Sequence, residues 1–183
     1  MTQKSKSRAT ADARQSQSNS KREGLETPLR LATSADISAI IALERDVPGL
    51  VHWSEHIYQK IFQSETPERM LWVVEEEGEL KGFLVARFDA AECELENLVV
   101  AAWERRRGLG SQLMQALVAI GRERHLKRIL LDVRESNYAG RALYERFGFQ
   151  VNGRRRGYYS QPPEDALLLA LALNCTSPSA PKR

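Results

Sequence analysis

Between residues 100 and 113 the chain changes its hydrophobic period, and this change narrows the accessible folds more than any other feature. Upstream lie three runs, residues 70–75, 80–89 and 94–100, dense in aliphatic, β-branched and aromatic side chains, the composition of strands. Downstream, Leu109, Leu113, Leu117 and Ile120 recur near a helical spacing, the stripe of an amphipathic helix that reaches to about His125. The first two runs are separated by Glu76-Glu77-Gly78-Glu79, a hairpin turn in which Gly78 can supply a positive φ. Three strands in an antiparallel meander followed by a crossing helix place the chain among folds that mix sheet and helix.

The flanking segments extend this pattern. Residues 29–32 read as a short strand, and Thr33 with Asp36 at the third helical position reads as a helix cap. Ile37, Ile40, Ile41 and Glu44 share one helical face, which Pro48 and Gly49 end. Ser54 opens a second helix with the stripe Ile57, Tyr58, Ile61 and Phe62. Beyond the long helix come a buried strand at residues 129–133, a helix at 138–147 stopped by Gly148, a strand at 149–151 and a last strand at 166–173. That last run is the longest apolar stretch, far short of the roughly 20 residues needed to cross a bilayer.

The chain has 183 residues, enough for one domain with tails. Its charge of +3 suggests a nucleic-acid partner until its location is considered. Lys4, Lys6, Arg8, Arg14, Lys21 and Arg22 concentrate positive charge before residue 25, and Lys182 with Arg183 closes the chain. The segment between, residues 25–173, is net negative. The expected organisation is a disordered basic tail at 1–27, a folded domain at 28–173 and a loose tail at 174–183. Contact with nucleic acid, if any, then belongs to the basic tail. Two cysteines, Cys93 and Cys175, without a Cys-x-x-Cys pair or histidine spacing, form neither a disulfide framework nor a metal site. No Sec-type signal precedes the domain, and the expected setting is the cytoplasm, with no membrane partner.

The turn that opens the long helix, Arg105-Arg106-Arg107-Gly108-Leu109-Gly110-Ser111, has the form of an anion site, because helix N-termini present unpaired N–H groups and a positive dipole end. It lacks the lysine of a P-loop, and Leu113 stands where a dinucleotide fingerprint needs a small residue. Two longer patterns are more specific. Arg105 to Gly110 matches [QR]-x-x-G-x-[GA], and Asn137 to Phe149 matches N-x-x-A-x-x-[LF]-Y-x-x-x-G-F with Gly140 at the small position. With these two motifs in order the chain resembles the GCN5-related N-acetyltransferase (GNAT) superfamily over residues 29–173. Trp53-Ser54-Glu55, the stretch Asp132-Val133-Arg134-Glu135-Ser136-Asn137 and an expected hairpin Arg154-Arg155-Arg156-Gly157-Tyr158-Tyr159 resemble its bacterial ribosomal-protein-alanine branch.

The resemblance implies an α/β acyl-CoA N-acyltransferase fold: a mixed, mostly antiparallel sheet flanked by helices, with two parallel strands parted to admit the pantetheine arm. It implies acetyl-CoA as cosubstrate, with no metal, and a primary amine as acceptor, foremost the N-terminal alanine of a ribosomal protein. A small-molecule amine, a lysine side chain or a non-catalytic acyl-CoA-binding module are the alternatives. Donor contacts fall on Leu98, Val99 and Val100, on Arg105 through Ser111, and on Asn137, which is equally suited to cap the following helix. The base falls on Asp132, where the branch typically carries glutamate, one C–C bond or roughly 1.5 Å longer. The acid falls on Tyr144. Glu96 is a rival base, and Asp132 has a structural alternative, an ion pair with Arg134 on the same strand face. Trp53, Tyr158 and Tyr159 are candidates for the acceptor groove, although the two tyrosines could equally fill a hairpin.

Overall fold

A computed structural model of the chain describes residues 28–47, 52–63 and 67–173. The two expected tails, Cys175 and the Pro48–Gly49 helix stop lie outside the described residues. The remainder forms a seven-stranded sheet in the order β1-β2-β3-β4-β5-β7-β6. Its strands are β1 (Leu29–Leu31), β2 (Arg69–Glu76), β3 (Glu79–Asp89), β4 (Glu92–Val100), β5 (Arg128–Arg134), β6 (Gln150–Ser160) and β7 (Pro163–Ala172). The helices are α1 (Ile37–Arg45), α2 (Glu55–Ile61), α3 (Leu109–Glu123) and α4 (Tyr138–Arg146). The expected mixed sheet is present. Its one parallel pair is β4 with β5, and α3 supplies the crossover that a parallel connection requires.

Successive residues of a strand face opposite sides, and here both sides are apolar. On one face, Trp72, Val74, Leu84, Leu95, Leu131 and Val133 pack with Leu113, Met114 and Leu117 of α3 and Tyr144 of α4. On the other, Leu71, Val73, Phe83, Val85 and Val99 pack with Ile37, Ile40 and Leu43 of α1 and Tyr58 of α2. Covering both faces accounts for the nearly continuous hydrophobic run of β2 and β3.

β4 changes partners along its length. Its register on β3 pairs Leu95 with Ala86 and Asn97 with Val85, so Glu96 is the extra residue of a β-bulge, which bends and twists a strand. On its other side, pairing with β5 runs from Glu92↔Arg128 only as far as Leu95↔Leu131. β4 then continues on β3 alone as far as Val100↔Gly82, while β5 continues on β7 from Asp132↔Leu168 to Arg134↔Ala166. The two parallel strands therefore part at the bulge and leave a fork.

Several local expectations need correction. Residues 154–159 are not a hairpin but the interior of β6, which is much longer than the 149–151 strand read from the sequence. β6 is the sheet edge and almost wholly exposed, so it carries no apolar alternation to reveal it. Between Arg155↔Ala166 and Tyr159↔Glu164 it holds more residues than β7. The surplus is taken up around Gly157, whose φ is +59° and whose N–H donates to Asp165 Oδ1 at 2.8 Å. Ser54 stands at the cap of α2 but makes no side-chain cap bond. Thr33, by contrast, is the expected cap: it forms a capping box with Asp36 at the start of a 3₁₀ turn that runs directly into α1, and its N–H and hydroxyl donate to Asp36 Oδ2 at 2.7 and 3.0 Å.

At the wide end of the fork β3 and β4 approach closely: a Cβ on Gly82 would lie 2.8 Å from the carbonyl oxygen of Val99. Gly82→Ala should therefore overpack the strand pair at a cost of about 1–3 kcal/mol. A thermal melt should show Tm lower by roughly 2–12 °C, and an unchanged Tm would mean that the approach relaxes freely.

Candidate active site

The donor side is built by the start of α3. Gly108 caps the helix at φ +90° with open space where a side chain would stand, a conformation that other residues adopt at a cost. The first-turn N–H groups have no acceptor inside the helix, and Gln112 is the first to find one, Gly108 O at 3.0 Å. A Cβ on Gly110 would meet Leu143 of α4 at 3.2 Å, so the second glycine lets the two helices pack. The three arginines separate in role. Arg107 pairs with Glu76 at 3.0 Å and with Glu104, whereas Arg105 and Arg106 have no ion-pair partner among the described residues and remain available to an anion. Leu98 and Val100 lie beyond the last β4–β5 pair, so their backbone groups on that side face the fork. Asn137 caps α4, its Oδ1 accepting from Gly140 N at 2.9 Å, which leaves its amide NH₂ free of that bond.

Asp132 and Tyr144 lie on opposite sides of the sheet. Tyr144 belongs to the α3/α4 core, is 8% exposed and packs on Phe149 with ring centroids 5.9 Å apart. Burial, and secondarily the nearby Tyr159, push its phenol up to about 12, so it stays protonated well above neutral pH. Asp132 is the first β5 residue past the parallel pairing. Since Leu131 and Val133 point into the α3/α4 core, its carboxyl faces the α1/α2 side. Its Oδ2 accepts from Arg155 Nη1 at 2.7 Å. Burial raises the Asp132 pKa, the Arg155 charge opposes this, and Glu94 adds to the rise.

The alternative pairing of Asp132 with Arg134 is not found among the described contacts. Arg134 turns to Glu164 at 3.3 Å and to the carbonyls of Gln161 and Pro162, and its guanidinium stacks 3.9 Å from the Tyr159 ring centroid. The Tyr159 phenol is raised by burial and then by the charge of Asp132. Tyr159 is thus near enough to feel Asp132 and to influence Tyr144, while Tyr158 is 51% exposed and edge-on to Tyr159 at 5.1 Å. Glu96 is held elsewhere: Arg69 donates to both its oxygens at 2.7 and 3.0 Å, and Arg87 lies 3.4 Å away. No carboxylate oxygen of Glu96 is left without a cation.

A cluster that the sequence did not single out lies under the α1/α2 side. Glu44 is 1% exposed, and its carboxylate accepts from Trp53 N at 3.1 Å, Tyr58 Oη at 3.1 Å and Asn97 Nδ2 at 3.0 Å. Burial raises the pKa of this group, and the three donors and the charge of His52 oppose the rise. Glu44 thereby ties α1, the entry to α2 and the first residue past the bulge. Trp53 is part of this packing, its ring 5.5 Å from that of Tyr58. Only the apolar spacing of α1 was visible in sequence; a glutamate on its buried face was the available signal.

The comparison with known proteins agrees with this geometry. The family model described as Acetyltransferase (GNAT) family matches residues 37–149. The chain belongs to this family of acyl-CoA-dependent N-acetyltransferases. It is similar to the [ribosomal protein bS18]-alanine N-acetyltransferase of Escherichia coli strain K12, 31% identical over 147 residues, covering 75% of this chain and 99% of that protein. The enzyme of the same description from Salmonella typhimurium is 34% identical over 149 residues, 80% of this chain and 97% of that protein. The crystal structure of the ribosomal-protein-S18-alanine N-acetyltransferase from Escherichia coli superposes with a TM-score of 0.74 at 26% identity, covering 84% of this chain and 97% of that one.

Glu44→Ala should leave three buried or half-buried donors without an acceptor and cost about 2–4 kcal/mol. Melting should then occur roughly 4–16 °C lower, with Tyr58→Phe losing only a fraction of that. Equal losses from both variants would mean that the carboxylate is not the shared acceptor.

Proposed function

We propose that residues 28–173 form a catalytic unit that transfers the acetyl group of acetyl-CoA to the N-terminal α-amine of a protein, alanine-first, with a ribosomal protein as acceptor. The observation that carries the reading is the fork itself, with Tyr144 buried on its donor face and Asp132 on the opposite face. The curated relatives named above, which are bS18-alanine N-acetyltransferases over nearly their whole length, support the choice of acceptor. A cytoplasmic setting goes with it, and the buried free thiol of Cys93 suits a reducing compartment.

In this reading Arg105, Arg106 and the N–H groups from Gly108 to Ser111 hold the pyrophosphate, as a helix N-terminus does for anions. The unpaired backbone of Leu98, Val99 and Val100 holds the pantetheine arm and donates to the thioester carbonyl, whose oxygen gains charge during attack. Asn137 contributes its free amide. Asp132 takes a proton from the acceptor amine, directly or through water, and Tyr144 gives one to the sulfur as the thioester bond breaks. The acetyl group is thus joined to nitrogen and free CoA departs, with no covalent enzyme intermediate. An α-amine, with a pKa of about 8, needs less help to become nucleophilic than a lysine at about 10.4. Trp53, Tyr158 and Tyr159 bracket the acceptor, whose backbone pairs with a strand edge beside the cleft.

Tyr144→Phe should bind acetyl-CoA nearly as wild type yet lose about 10²–10⁴ in kcat, and Asp132→Asn should lose about 10². Glu96→Gln should stay within about threefold, since that carboxylate serves ion pairs; a larger loss there than in Asp132→Asn moves the base to Glu96.

The acceptor is tested by initial rates on an alanine-first peptide, on the same peptide with a blocked N-terminus and an internal lysine, and on a polyamine. The alanine-first peptide should lead by at least about tenfold in kcat/KM, the margin left by the pKa difference. Preference for the blocked peptide or the polyamine would reassign the acceptor. Absence of CoA release with all three would favour a binding module.

A further inference from the structure

We propose that Arg155 is the positioning residue of the acceptor side: its guanidinium reaches across β7, grips the Asp132 carboxylate at the fork and supplies the positive charge against which that base works. The inference rests on Asp132 being the base and extends that reading to a residue in a strand two places away in the sheet.

The register makes the reach possible. Arg134, Ala166 and Arg155 lie in one row across β5, β7 and β6, and Asp132, Leu168 and Gly153 form the next row on the same face. Ala166 has only a methyl group and Gly153 has no side chain, so on β7 only Leu168, directly opposite Asp132, adds bulk beside the diagonal. Arg155 closes it diagonally with a 2.7 Å contact to Oδ2. Its guanidinium carbon lies 5.3 Å from the Tyr158 ring centroid, a cation–π separation.

The other charges around Asp132 do not offer it a cation. From β4, Glu94 faces it and repels, while Glu96 is taken by Arg69 and Arg87. On β5 itself, Arg134 is turned to Glu164 and the β6–β7 turn. β7 presents Leu168 directly opposite. β6 presents Tyr159, and beyond it on α4 stands Tyr144, both neutral phenols. Arg155 is therefore the cation that offsets burial and Glu94. An aspartate, shorter than glutamate, has less freedom to find another partner, so its position depends on this one.

The test measures kcat from pH 5.5 to 9 on an alanine-first peptide with both substrates saturating. Removing an opposite charge at contact distance raises a carboxyl pKa by about 1 unit or more. The protonated fraction of Asp132 at a given pH then grows, and the acid limb of the profile should move to higher pH by about one unit in Arg155→Met. Arg155→Lys should return much of the shift, with KM for acetyl-CoA unaltered in both. The Asp132 carboxyl carbon, titrated by NMR in the same variants, should move likewise without any need for turnover.

Arg155 is half exposed on an edge strand, so its truncation opens no core cavity, and Arg155→Gln serves as a second probe. An unmoved limb with an unmoved Asp132 titration would overturn the proposal. If Asp132→Asn meanwhile loses about 10² in kcat, only the role of Arg155 has failed. If Asp132→Asn stays within about threefold, the base assignment has failed and takes the proposal with it.

Discussion

The parallel contact between β4 and β5 is short, ending at Leu95↔Leu131, and most of what the molecule can do depends on where it ends. Backbone N–H and C=O groups left unpaired inside a sheet are costly unless a ligand or water meets them. Here the bulge at Glu96 turns β4 away at the point where α3 begins to present its own unpaired N–H groups. Two sets of unsatisfied backbone donors thus open onto one space. An acyl carrier ending in a pyrophosphate at one end and a thioester at the other can satisfy both.

The fork persists because each of its arms is held from behind. β5 is clamped by β7 through the full run from Arg128↔Ala172 to Arg134↔Ala166. β4 is held by β3, and by Asn97 reaching to Glu44. A carboxylate fixed by three donors in the interior is strongly directional, and removing any one partner costs more than the bond was worth. The α1/α2 cover is thereby coupled to the strand that shapes the cleft.

The two groups proposed as base and acid are both partly or wholly withdrawn from water, which raises the pKa of each. Tyr144 sits among apolar side chains and keeps its proton, as an acid must. Asp132 also has its pKa raised by burial, which the Arg155 charge opposes and Glu94 reinforces. Both environments therefore favour the protonated form, and only at Asp132 does a neighbouring cation oppose that shift. The substitution of aspartate for the glutamate of the resembled branch fits a site in which the partner comes to the base across the neighbouring strand.

Much of this was legible in the chain. The order of elements, the glycine turn and the Tyr144 run follow from local periodicity and from residues adjacent in sequence, because helix stripes, caps and turns are set by neighbours, and the family was legible through the resemblance of two motifs. Strand β6 was not, since an exposed edge strand carries arginines and glycine where a buried one would alternate. Nor were the partners of Asp132, Glu96 and Glu44, which lie 23, 27 and up to 53 residues away. Each of those pairings depends on register: a bulge shifts which residues share a face, and one residue of slip reverses every side chain. Sequence alone thus determined which chemical groups the chain owns and the elements that carry them. The tertiary structure decided which of them meet, because strand order and register bring together side chains that no local interaction connects.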